Sequence, residues 1–132
     1  MTRINCGIMP SELSTKHLIA ELREIKRIPN HVYTKSGNLN TRDIPEKFTL
    51  GTGHVRFFYN KLGYLHKRYQ DLYIEAKHIR GFNIEDFSQS FINAISIRPD
   101  LNCQYEETLF DRNIILERLL ERDYQFYQSI KL

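Results

Sequence analysis

The sequence predicts an all-α, single-domain protein, and three observations carry that prediction. Three stretches repeat their apolar residues at helical spacing. Little in the chain alternates as a half-buried strand does. Gly, Pro, Asn and Thr collect between the helical stretches, where turns are needed. At 132 residues the chain is sized for one core. We expect residues 1–132 to form one domain of about three helices with long connecting loops.

The first helix is expected from Ser11 or Ser14 to Ile28. Pro10-Ser11 and Ser14 are both start signals, because a serine oxygen can accept from the free N–H groups of a first turn. Leu18, Leu22 and Ile25 form an apolar stripe, while His17, Ala20, Glu24 and Arg27 fall on another face. Pro29-Asn30 should end or kink the helix. A polar, turn-rich loop, Thr34 to Thr52, follows.

The second helix is expected from Val55 to Arg80. Phe58, Leu62, Leu65, Tyr69, Leu72, Ala76 and Ile79 recur at alternating spacings of four and three, as a core-facing stripe requires. Gly81 supplies a left-handed C-terminal cap. Gly63 is a weak spot, costing ~1 kcal/mol against alanine where exposed. Tyr59, Tyr64, Tyr69 and Tyr73 read as core and rim, and His54 as a helix-start residue. The third helix is expected from Leu109 to Gln128, burying Ile115, Leu116, Leu119, Leu120 and either Phe126 or Tyr127.

Composition excludes several classes. No apolar run approaches the roughly 18 residues of a membrane span, and the first residues lack the apolar stretch of a signal peptide. Cys6 and Cys103 are expected as reduced, packed thiols. No Cys/His spacing resembles a zinc site, so no metal is expected. The net charge of +3 is unevenly spread. Residues 1–80 carry 14 Lys/Arg against 7 Asp/Glu, whereas residues 81–132 carry 5 against 9. This asymmetry points to a polyanion on the first two thirds of the chain, although a solvated basic surface has the same composition.

Glu24 stands among cations, with Arg23 beside it and His17 and Arg27 on its own face. Such cations favour an ionised carboxylate. Two readings fit: an exposed helix with ordinary ion pairs, or a catalytic carboxylate within a phosphate-binding surface. Spacing alone does not choose between them.

Further residues bear on that choice. Met1-Thr2-Arg3-Ile4-Asn5, Ser11-Glu12-Leu13, His17-Leu18, Ala20-Glu21 and Arg23-Glu24 stand in that order. Phe48 to Arg68 reads FTLGTGHVRFFYNKLGYLHKR, and Arg80-Gly81-Phe82-Asn83-Ile84 closes the series. In order and spacing these blocks resemble the phage-type pyrimidine-dimer DNA glycosylase/AP lyase family known as endonuclease V. The resemblance covers about the first 84 residues and fades from about Phe87. Arg118 and Arg122 fall where that family has basic residues on its terminal helix. Ile114 stands where another arginine is expected, and Tyr124, Phe126 and Tyr127 look like a reduced aromatic tail.

The resemblance implies a chemistry whose logic is physical. The nucleophile would be the α-amine of Thr2 once Met1 is removed; with Met1 attached that nitrogen is an amide and cannot attack. An α-amine has a reference pKa near 7.7–8.0, so roughly a quarter is neutral at pH 7.4, against roughly a thousandth of an ordinary lysine. Arg3 and Arg23 would lower it further. Attack on the sugar C1′ displaces the base and leads to an imine that permits β-elimination. Glu24 would serve as acid/base and electrostatic partner of the cationic sugar. Arg3, Arg23, Arg27, Arg118 and Arg122 would contact DNA phosphates. His17 would orient a phosphate or sugar, or make a structural hydrogen bond. No cofactor or metal is required. The implied partner is damaged double-stranded DNA, approached by a monomer in a bacterial cytoplasm or, for a phage protein, that of the host. Flipping a nucleotide costs less at a distorted site; in the resembling family it is the base opposite the lesion that flips. The same chemistry on another damaged base, or a non-catalytic DNA-binding relative, are the alternatives.

Overall fold

The computed structural model describes residues 4–130. The described residues are helical, with no strand and one isolated bridge between Lys61 and Asn102. The all-α expectation holds, but three helices undercount the architecture. The helices are α1 (Thr15–Ile25), α2 (Arg27–Thr34), the single turn α3 (His54–Phe57), α4 (Leu62–Ile74), α5 (Ser88–Ile97), α6 (Leu109–Arg122) and the single turn α7 (Tyr124–Tyr127).

Ser14, not Ser11, caps α1: its Oγ accepts from the His17 amide at 3.3 Å. Ser11 belongs to a separate 3₁₀ turn, Pro10–Glu12. Proline does not stop the chain here. Its ring would strike the carbonyl four residues back, that of Ile25, so α1 breaks at Lys26 and α2 starts at once. Pro29 then sits in the first turn of α2, where an amide proton has no intrahelical partner to lose.

The long second helix is interrupted twice. Between Phe57 and Leu62 the backbone tightens into turns, and Phe57 and Phe58 both reach the core. At the far end Glu75–Ile79 form a π turn, closed by the Arg80 amide on the Glu75 carbonyl at 2.9 Å. The wider turn adds a residue to the period. Phe58, Leu62, Leu65, Tyr69, Leu72 and Ala76 are therefore buried as predicted, while Ile79 swings out. Gly81 has the expected left-handed backbone, φ +78°.

Gly63 lies under a crossing segment, so a side chain there would make its neighbours give way. A Cβ there would lie 2.5 Å from Gln104 Nε2, 2.7 Å from Asn102 Oδ1 and 3.2 Å from the Cys103 carbonyl. The chain of residues 102–104 crosses α4 at this point, and the Tyr64 amide donates to Cys103 O.

Helix α5 was not expected. It presents Phe91 and Ala94 to the core and packs on α2 and α4. The third predicted helix is divided at Asp123, whose carboxylate caps α7. Ile115, Leu116, Leu119 and Tyr127 are buried; Leu120 is only partly covered, and Phe126 is exposed. Both cysteines are free thiols; Cys6 is buried, but Cys103 is exposed rather than packed. Among the described residues no helix is long and apolar enough to cross a membrane.

Candidate active site

The site is built around the start of the chain. Residues 4–8 run as an ordered, largely buried segment beneath α1 and α4, without regular structure. The backbone polar groups of such a segment need partners: Arg68, His54 and Glu107, whose Oε2 accepts from the Gly7 amide at 2.6 Å, supply them, and the Asn5 side chain adds a further tie. Asn5 Nδ2 donates to Glu21 Oε1 at 2.9 Å. Arg68 Nη1 donates to the Ile8 carbonyl at 2.6 Å. The Ile4 amide donates to His54 Nε2 at 3.1 Å.

Glu21 and Arg68 form the polar heart of this arrangement. Arg68 Nε and Nη2 reach the two Glu21 oxygens at 2.8 and 2.9 Å, with both side chains buried. Burial opposes the guanidinium charge, but the facing carboxylate more than offsets it and raises its pKa. Burial pushes the nearby Cys6 thiol up to about 12, so it is an inert packed thiol rather than a nucleophile.

Glu24 lies one turn beyond Glu21. Its side chain is 17% exposed, and Arg27 Nη1 stands 3.5 Å from Oε2. Tyr59 faces the same region: burial raises its phenol pKa, and the Glu24 carboxylate adds to the rise. Arg23 points to the other side of α1. There it lines a cleft of about 260 Å³ with Ile19, Leu22, Lys26, Tyr69 and Phe87. Lys26 Nζ sits 4.1 Å over the Phe87 ring. Ile84 and Glu85 complete the lining, so the cleft is largely apolar with two cations and one carboxylate.

His17 marks the opposite end of α1, roughly 10 Å from Glu24 at 1.5 Å per residue. Its Nδ1 lies 2.6 Å from the Tyr127 hydroxyl, with the two rings stacked. That hydroxyl also accepts from the Ser14 amide at 3.0 Å. Burial is the main cause that lowers the imidazole pKa. Lys16 and Arg122 add to it, and Asp123 opposes. Arg122, exposed at the end of α6, is thus brought to the His17 end of α1. Arg118 lies one turn earlier on α6, partly covered, its buried Nε without a hydrogen-bond partner among the described residues.

The structure therefore brings His17 and Arg122 to one end of α1 and Glu24 with Arg27 to the other, and Arg23 lies over the neighbouring cleft. Thr2 and Arg3 lie outside the described residues. Among the described residues no group of three or more His, Cys, Asp or Glu is placed to hold a metal. The sequence reading missed Glu21, Arg68 and the tethering role of His54. A signal for the first two was present: Glu21 stands in the stripe Leu18-Glu21-Leu22-Ile25, and Arg68 falls between Leu65 and Tyr69. A charge within an apolar stripe is buried and must be paired.

The family model described as pyrimidine dimer DNA glycosylase matches residues 1–90, which contain the clamped segment, all of α1 and α4, and His54.

Proposed function

Because the chain belongs to the pyrimidine dimer DNA glycosylase family, we propose that it excises a UV-induced pyrimidine dimer base and then cleaves the strand, using the amine of processed Thr2 and the carboxylate of Glu24. One observation carries this reading: the first described residues are fastened to the same helix that bears Glu24, one turn away, by the Asn5–Glu21 hydrogen bond. Covalent reach keeps the Thr2 nitrogen within ~7 Å of the Ile4 nitrogen. That reach and the Asn5–Glu21 bond support a reading in which the amine acts beside Glu24.

The chemistry balances on these two groups. The neutral amine donates its lone pair to C1′ as the bond from C1′ to the base nitrogen breaks, and the base leaves with that electron pair and takes up a proton from solvent water. Glu24 accepts the proton lost by the amine and delivers it to O4′ as the sugar opens, leaving a cationic imine. Its carboxylate then stabilises that cation. Loss of a C2′ proton expels the 3′ phosphate, and water releases the amine. Arg27 beside Glu24 and Arg122 beside His17 would grip phosphates at the two ends of α1. Arg3 and Arg118 would add contacts. The cleft under Arg23 and Lys26 suits a flipped nucleotide: an apolar lining for the base, with two cations against the single Glu85 carboxylate for its phosphate.

Borohydride trapping on UV-irradiated duplex DNA tests the reading. Wild type with Met1 removed should give a covalent protein–DNA product, and Glu24→Gln should not. Trapping on abasic DNA but not on dimers would move the target to another damaged base. Salt-sensitive binding with no trapping would mark a non-catalytic relative.

A further inference from the structure

His54 is buried completely, yet it is a polar ring with two nitrogens to satisfy. Its Nδ1 lies 2.8 Å from the Thr49 carbonyl oxygen, which can only accept, so Nδ1 carries the proton. Its Nε2 is then the bare nitrogen, and it receives the Ile4 amide proton at 3.1 Å. The two partners together select one neutral tautomer. The ring plane is fixed as well. Phe48 and Phe58 meet it edge-on, with centroids 5.5 and 5.4 Å away. An ordinary helix-start histidine needs none of this. Here the ring spans 50 residues of sequence to hold one backbone amide of the segment that leads to Thr2.

We propose that His54 is a positioning residue for the N-terminal amine: by accepting the Ile4 amide proton it fixes the direction in which the preceding residues leave the core, and so where the Thr2 nitrogen meets the sugar. The inference rests on the imine reading above. It assigns His54 no contact with DNA and no proton transfer. Asn5–Glu21 and Arg68–Ile8 hold the segment further along, so the His54 bond is the last described hold before the nucleophile. Nucleophilic attack is steeply sensitive to placement, a misplacement near 1 Å costing up to ~100-fold.

Two substitutions separate the nitrogens. An asparagine amide can reproduce the Nδ1–H donor to Thr49 but leaves the Ile4 amide without an acceptor. A glutamine amide oxygen can reach the Nε2 position and restore that acceptor. The experiment is single-turnover borohydride trapping on abasic duplex DNA at saturating protein, with the dissociation constant measured in parallel. Phe91→Leu, a core change away from this segment, serves as a control for loss of stability. We expect His54→Asn to slow trapping about 10–100-fold with an unchanged dissociation constant, His54→Gln to recover most of the rate, and Phe91→Leu to trap at the wild-type rate. Equal rates for His54→Asn and wild type would overturn the proposal. So would a slowed rate matched by Phe91→Leu at equal melting temperature, or a slowed rate that glutamine does not rescue. Absence of trapping by the processed wild type would instead overturn the imine reading and this inference with it.

Discussion

Glu21 and Glu24 sit one turn apart on α1 and differ in almost everything else. Glu21 is fully buried, held by two nitrogens of Arg68 and by the Asn5 amide, so every lone pair it uses serves the fold. Glu24 is partly exposed and faces Arg27, whose side chain is 71% exposed, across 3.5 Å. A carboxylate that must exchange protons with a substrate has to keep an accessible oxygen. One that anchors a chain segment must not. The rotation of about 100° per residue along a helix is enough to assign the two roles to positions three apart.

The sharpest way to break this comparison is to neutralise each acid in turn. Glu24→Gln should lower base excision by about 100-fold or more, with unfolding free energy within about 0.5 kcal/mol of wild type. Glu21→Gln should do the reverse. It strands the Arg68 charge in the core, at a cost of about 3–5 kcal/mol, read as a shift of the urea midpoint. Below its melting temperature its excision rate should fall far less than that of Glu24→Gln. Replacing both members of the buried pair, Glu21→Leu with Arg68→Met, should destabilise less than either single change, because no unpaired charge remains. Equal loss of stability in Glu21→Gln and Glu24→Gln would show that the two acids are not divided between fold and chemistry.

This division also marks what could be read from the residues alone. The all-α class, the Ser14 start and the buried stripe from Phe58 to Ala76 follow from periodicity, which depends only on local geometry. The interruptions do not. The break near Phe58 accompanies the crossing of residues 102–104, forty positions away, and the π turn ending at Ile79 accompanies Arg80, which reaches back to the Pro10 and Leu13 carbonyls. Helix α5 buries only Phe91 and Ala94, too few to set a period. At the site, Glu24 was legible as an acid among cations, but not its contrast with Glu21, since that depends on Arg68 arriving from another helix. The His54 tether to Ile4 spans 50 positions and leaves no mark in local spacing.

A smaller effect sharpens the contrast between the α1 face and the rest of the basic surface. Arg27 and Lys67 are almost equally exposed, at 71% and 70% for their side chains, and each pairs with an acid three or four positions away. Only Arg27 stands beside the proposed reaction centre. If phosphates are gripped there, Arg27→Ala should reduce the slope of log affinity against log salt by about 0.9, one released counterion. Lys67→Ala on α4 should leave the slope unchanged. Equal changes for both would mean that DNA follows net charge rather than this face.

The smallest expected effect separates the two ends of α1. Burial, then Lys16, lowers the His17 imidazole pKa from its ordinary 6.5. The folded chain thus binds a proton there less readily than the unfolded chain does. Above pH 6.5 both states leave the ring neutral, and it adds no slope to stability. As the pH falls below 6.5 the unfolded chain takes up the proton first, and the stabilising effect of the neutral, Tyr127-bonded ring is lost as the pH falls through the folded value. His17→Gln removes this titration. The melting-temperature gap between wild type and variant should therefore be widest near pH 8 and close progressively below pH 6.5, by a modest amount because the ring is partly solvated. A gap that stays constant with pH would mean that the Nδ1 contact to Tyr127 survives protonation. In that case the imidazole donates to the hydroxyl in both charge states, and His17 could carry a proton toward a phosphate at the Arg122 end without loosening the fold.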